Sequence, residues 1–170
     1  TGTNPRLVFT SAPAQTNGIL AYATVNGAAF ATHGANGVAA ITPDFTSGFT
    51  ATLNAGQNTT TGLGGATDRQ VNSITFTTGN LDLSGRNLDV VSGGLLSTGA
   101  TASSITGSGT LTSSSGELIT HVYGTGGFTI SSQITNSGST PVAFTKSGDG
   151  TLTFSGSTAN TYTGVTTVNA

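Results

Sequence analysis

Six carboxylates, two histidines, four Lys or Arg residues and three tyrosines are all the ionisable side chains that this 170-residue chain offers for chemistry. Polysaccharide lyases and hydrolases need carboxylates clustered at a cleft, often with a basic residue beside them. The acids here are Asp44, Asp68, Asp82, Asp89, Glu117 and Asp149. Only Asp82 and Asp89 lie close in sequence, and they flank Arg86, which could bring three charges to one corner. The simpler reading of that trio is a solvated turn with a weak ion pair. Asp149 sits in Gly148-Asp-Gly150 without a repeated Asp-rich nonapeptide, so it reads as a corner residue rather than a calcium ligand. His33 and His121 are 88 residues apart with no carboxylate or second His at ligand spacing. Each reads as a hydrogen-bonded strand or surface histidine rather than a metal ligand or general base.

The remaining candidates are weaker. No Gly-x-Ser-x-Gly elbow gives the serines a nucleophile context. Gly62-Leu-Gly-Gly65 and Gly124-Thr-Gly-Gly127 lack the following helix with Lys and Ser/Thr that a phosphate cradle requires, and read as corners. Asn58-Thr-Thr is a formal glycosylation sequon, but such triplets arise by chance in so Thr-rich a chain. Tyr22, Tyr123 and Tyr162 would stack on sugar rings if exposed, or cover core edges with their hydroxyls wet. Four basic side chains cannot build a nucleic-acid footprint. No apolar run approaches the roughly 20 residues of a membrane helix. The expectation is therefore no catalytic residue, no metal and no cofactor.

Charged residues make up 6% of the chain, against about 25% in an ordinary soluble domain. Solubility must come from hydroxyls and amides, supplied by 35 Thr, 19 Ser and 12 Asn. Thr fits a pleated surface through its branched Cβ, whereas Ser, Asn and Gly suit turns. Cysteine is absent, which removes disulfides, thiolate metal sites and a Cys nucleophile. The polar start at Thr1 carries no signal peptide, and the last run of alternation stops at Ala170 where another corner is expected. Together these suggest a mature product or a segment of something longer.

Two regions follow different rules. In residues 1–70, Asn17-Gly18, Asn26-Gly27 and Asn36-Gly37 recur at nine or ten residues, and Asn-Gly is the strongest short-range signal for a two-residue turn. Alternation in Ala21–Val25 and Ala28–Thr32 predicts a β-hairpin turning at Asn26-Gly27. A further strand is expected at Phe49–Leu53, followed by a loop. In residues 71–170, Gly107-Ser-Gly109-Thr-Leu111 recurs as Gly148-Asp-Gly150-Thr-Leu152, with Phe154 continuing the alternation. The separation is 41 residues; halved, it implies a unit of roughly 20, a length typical of solenoids. Strands are expected at Ser73–Phe76, Leu81–Leu83, Leu88–Val90, Leu118–Val122, Gly127–Ile130 and Val142–Phe144. Leu111, Phe128, Ile130, Leu152 and Phe154 should point inward. A parallel β-helix satisfies this grammar, and an antiparallel sandwich, whose strands recur every 8–12 residues or so, is the alternative.

The run from Lys146-Ser-Gly-Asp-Gly-Thr-Leu-Thr-Phe-Ser-Gly156 to Asn160-Thr-Tyr-Thr-Gly-Val-Thr-Thr-Val168 resembles the autotransporter-associated β-strand repeat of bacterial passenger regions. The resemblance is strongest over 146–170 and weaker over 18–27 and 71–145. It departs from the pattern at Val165, where a second glycine is usual, and at Ser157–Ala159, which reads as an insertion. The resemblance implies an all-β, right-handed parallel β-helix and a non-enzymatic scaffold, extracellular or at a bacterial cell surface. A stalk or filament-forming subunit is the first expectation, an adhesin passenger module binding glycans or another cell the second, and a carbohydrate-active enzyme a distant third. Uncapped solenoid ends associate. Either further repeats of the same polypeptide or a neighbouring copy are therefore expected at the Ala170 end. Arg6-Leu7-Val8-Phe9-Thr10, which alternates after Pro5, is the candidate assembly strand.

Overall fold

The computed structural model describes residues 6–42 and 69–169. The strand expected at Phe49–Leu53, the Asn58 sequon, Asp44, Asp68 and Gly62–Gly65 lie outside them. Three strands, β1 (Leu20–Val25), β2 (Ala29–Gly34) and β3 (Gly37–Ala40), form an antiparallel sheet in chain order. The β1–β2 turn is the one predicted. Asn26 and Gly27 have φ of 54° and 64°, and Ala28 N–H closes the turn on Val25 O at 3.0 Å. Positive φ at both central residues matches the twist of the flanking strands, and Asn and Gly are the residues that tolerate it. Asn17-Gly18 repeats the geometry, with φ of 47° and 83°. At the third Asn-Gly only Gly37 has positive φ, because the β2–β3 connection turns through Ala35 and Asn36.

The rest is a solenoid of β4 (Arg69–Phe76), β5 (Gly79–Asp82), β6 (Leu88–Ser97), β7 (Ser103–Thr106), β8 (Thr110–Thr112), β9 (Glu117–Val122), β10 (Phe128–Ile130), β11 (Gln133–Ile134), β12 (Ala143–Ser147), β13 (Leu152–Phe154) and β14 (Thr166–Val168). Every pairing among these strands is parallel, which rejects the sandwich. They stack as about four turns. One wall is β5-β7-β10-β13, and the long sheet runs β11-β8-β6-β9-β12-β14 with β4 on β6.

The coil is longer than the expected 20 residues. Gly79 pairs with Ser103, Ser103 with Phe128 and Phe128 with Leu152, steps of 24, 25 and 24. The recurrence of Gly-x-Gly-Thr-Leu is not the structural period, because Leu111 lies in the long sheet and Leu152 in the other wall. The same phrase marks a corner entering a strand on two different sides of the helix.

Inward positions stack into columns: Leu81, Ile105, Ile130 and Phe154 on one wall, and Ile74, Leu95, Thr120, Lys146 and Val168 on the long sheet. Phe76 meets Phe128 at 4.9 Å between ring centroids in the interior. Leu111, Phe128 and Ile130 are buried as expected. Leu152 and Phe154 also stand at inward register positions. Leu152 is only partly buried and Phe154 is 44% exposed, β13 being the end strand of its sheet among the described residues.

A second core holds the two sheets together. Ile19, Ala21 and Phe30 of the N-terminal part pack on Leu96 and Ile119, which point outward from the solenoid wall. Both faces of β9 are consequently buried, which explains why Leu118–Val122 reads as a nearly continuous apolar run with His121 inside it.

Candidate functional site

Three of the carboxylates singled out for chemistry accept hydrogen bonds from different partners. Asp82 Oδ1 accepts the Ser84 N–H at 2.8 Å. Asp89 accepts from Gln70 Nε2 at 2.9 Å with one oxygen and from the Ser114 N–H at 2.8 Å with the other. Glu117 accepts the Thr145 hydroxyl across the β9–β12 ladder at 2.6 Å. Asp149 is exposed at the rim of a shallow hollow of about 220 Å³ beside Tyr123 and Thr125. Among the described residues no three His, Cys, Asp or Glu side chains come close enough to hold a metal ion.

The histidines go to different places. His33 lies on β2 with Phe9 edge-on at 5.4 Å. His121 is buried between the hairpin sheet and the solenoid, with Nε2 2.9 Å from Ala21 O and Nδ1 without a partner. Phe30 meets its ring edge-on and Tyr123 stacks on it. Burial holds its pKa below the ordinary value, and the bond to Ala21 O only partly offsets this. A neutral imidazole locked into a packed interface does structural work. The tyrosines are mostly committed too: Tyr123 lies against Gly27 with its hydroxyl 3.2 Å from Thr24 Oγ1, and Tyr162 packs on Phe144. Tyr22 is exposed.

Gly107 and Gly109, and likewise Gly148 and Gly150, stand where a Cβ would strike atoms of the preceding coil: Asp82, Arg86 and Val122. These glycines let successive corners stack in contact.

The last coil is lined by apolar side chains that no further strand covers among the described residues. A cavity of about 260 Å³ is lined by Phe144, Lys146, Leu152, Phe154, Thr166 and Val168, together with Gly150 and Thr151. β13 and β14 are the end strands of their sheets, so their outer N–H and C=O groups face out along the helix axis. Val168 and Val165 are 68% and 73% exposed. The first coil differs: Val71, Ile74, Phe76, Leu81 and Leu83 are all buried. The inward side chains of the first coil are thus covered and those of the last are exposed, although β5, like β13, is the end strand of its sheet. Lys146 carries no chemical signal in the sequence, although its alternation with Phe144 places it on the inward face. Its ammonium donates to Gly148 O, so the stem lies among the apolar walls while the charge is tied to the corner.

Leu7, Val8 and Phe9 are exposed. They run beside β3, held by one backbone bond from Val38 N–H to Leu7 O at 2.9 Å and by an Arg6–Asn36 contact at 3.3 Å.

Residues 144–170, which span β12 to β14 and the open end, match the family model of the passenger-associated-transport-repeat. No curated protein and no solved structure matches the chain.

Proposed function

We propose that this chain is a non-enzymatic structural segment of an autotransporter-passenger-like protein, a stalk or filament-forming β-solenoid outside a bacterial cell. The observation that carries the reading is the transport repeat of residues 144–170, folded as a coil of a parallel β-solenoid. Such a repeat is a stacking unit, because each coil buries its inward row against its neighbours. The polar side chains on the coil corners are spent on holding those corners, which leaves scaffold rather than reaction chemistry. Immunogold labelling of intact producing cells tests the location: label on the outside is expected, and label reached only after lysis refutes it.

A second reading is favoured by one feature, the outward row Asn80, Ser104, Thr129 and Thr153 on the β5-β7-β10-β13 wall. Ser104 and Thr106 both donate to Asn80 Oδ1, which orders the hydroxyls at that end of the row. A flat neutral ladder of this kind suits a glycan, as an adhesin would need. A glycan array probed with the chain and with Thr129→Val/Thr153→Val separates the readings: saturable binding lost in the variant supports the adhesin, and no binding leaves the stalk.

A further inference from the structure

The β1-β2-β3 sheet is fastened across three neighbouring strands of the solenoid's long sheet. On β4, Asn72 accepts from Asn17 Nδ2 at 3.1 Å and donates back to Thr16 O at 3.3 Å. On β6, the Phe30 ring sits over Gly94, where a Cβ would come within 2.9 Å of it. On β9, Ile119 packs into the same apolar seam, and Tyr123, just past the strand's end, lies 3.2 Å from Thr24 Oγ1. These polar bonds join neutral groups. His121 is the seam's one group that titrates near neutral pH among the described residues, and it is 3% exposed.

The seam fixes the tautomer of that ring. Nε2 lies 2.9 Å from Ala21 O, and a carbonyl oxygen only accepts, so Nε2 carries the hydrogen and Nδ1 a lone pair. A second proton can enter only at Nδ1. That atom is buried without a partner, on a ring flanked by Phe30 edge-on at 6.0 Å and Tyr123 stacked at 6.2 Å. Protonation there makes a buried cation with an N–H that nothing accepts, a costly arrangement in an apolar seam.

We propose that His121 is an acid-sensitive latch: proton uptake at Nδ1 releases the β1-β2-β3 sheet from the solenoid as a unit and uncovers Leu96 and Ile119. The neighbouring elements supply no counter-charge to prevent this. Tyr22 of β1 is exposed, and His33 of β2 lies against Phe9. Asp89 of β6 is bonded to Gln70 and Ser114, and Glu117 of β9 to Thr145. Lys146 of β12, on the inward side, is tied to Gly148 O. Release leaves the solenoid intact, because its interior forms a core separate from the seam of Ile19, Ala21, Phe30, Leu96 and Ile119.

Hydrogen exchange of the full chain between about pH 7.5 and pH 5, corrected for intrinsic exchange rates, tests the latch. In the released form the ring regains its ordinary pKa of about 6.5, whereas burial holds it lower in the closed form. Protection over 20–34 should therefore fall by up to about tenfold per pH unit below that value, while protection over 103–147 stays constant. In His121→Gln the side-chain amide can still donate to Ala21 O and takes up no proton, so protection should not vary with pH; His33→Gln should keep the fall. Constant protection over 20–34 in the parent, a fall shared by both regions, or a fall that persists in His121→Gln overturns the proposal. Should His121→Gln not hold the hairpin at any pH, the ring-nitrogen chemical shifts of the parent decide. Nδ1 should take up its proton over the interval in which protection is lost, and a protonated ring with protection intact overturns the latch.

Discussion

Replacing Gly109 by Ala tests whether corner stacking sets the coil geometry. Gly109 sits just before β8, over Arg86 of the coil below. A methyl there would overlap the Arg86 carbonyl oxygen and lie 2.8 Å from both the carbonyl carbon and the nitrogen of that residue. The obstacle is backbone, so no rotamer change relieves it. The coils would have to part by about 1 Å at this corner, against a normal strand spacing of about 4.8 Å. The nearest ladder, Leu88 on Leu111 and Asp89 on Thr112, absorbs the displacement. About two backbone hydrogen bonds at roughly 1 kcal/mol each are weakened. Misfit around the fully buried Leu83, Leu88 and Leu111 adds about 1–3 kcal/mol. The expected loss is therefore about 3–5 kcal/mol. Gly138→Ala is the control: Gly138 has φ of 58° with nothing within 4 Å of a Cβ placed there, so only backbone strain of about 1–2 kcal/mol applies. Urea unfolding followed by far-ultraviolet circular dichroism should separate the midpoints by about 0.5–2 M, given a slope near 2 kcal/mol/M. Equal midpoints for the two variants would refute the claim that backbone contact between coils, rather than turn conformation, requires Gly109.

Three further outcomes are expected. Leu111→Asp places a charge in a fully buried column and should cost several kcal/mol, whereas Leu152→Asp at the open coil should cost far less; thermal melts at low concentration compare them. Phe30→Ala removes the main plug between hairpin and solenoid at about 3–5 kcal/mol. Hydrogen exchange should then show protection lost over 19–40 but retained over 103–147, because the two cores are separate. Acidification should loosen the same interface. His121 has a depressed folded pKa, so the unfolded chain takes up the proton first, and the stability is complete above about pH 6.5 and falls below it. Cross-peaks between the Phe30 and His121 rings, strong at pH 7.5, should weaken near pH 5, while His121→Gln should abolish the pH dependence.

Local features are legible in the sequence because they depend on neighbouring residues alone. Asn26-Gly27 demands a two-residue turn whatever surrounds it, and the alternation of Phe128 with Ile130 demands a strand with one buried face. The coil length is not legible in the same way. The phrase Gly-x-Gly-Thr-Leu encodes a corner and a strand, and corners occur on more than one side of each coil, so its spacing of 41 residues measures no whole number of turns. Asp82, Arg86 and Asp89 suggest a shared corner, but the first carboxylate turns back onto Ser84 while the second reaches Ser114 of the next coil.

Composition and period-two patterning are enough for the all-β class, the hairpin turn and the poverty of ionisable chemistry, whereas the repeats alone leave solenoid and sandwich open and only the resemblance of residues 146–170 to a passenger repeat favours the solenoid. Each of these follows from what a segment of given residues can bury. Which inward residues are covered is a matter of three-dimensional stacking. Leu111 and Leu152 stand in the same five-residue phrase, yet one is sealed by coils on both sides and the other lines an open cavity. Stacking likewise places His121 between two sheets, because the hairpin folds back over the outer face of β9. Burial is a property of what stacks next to a residue, and a solenoid places that neighbour about two dozen residues away.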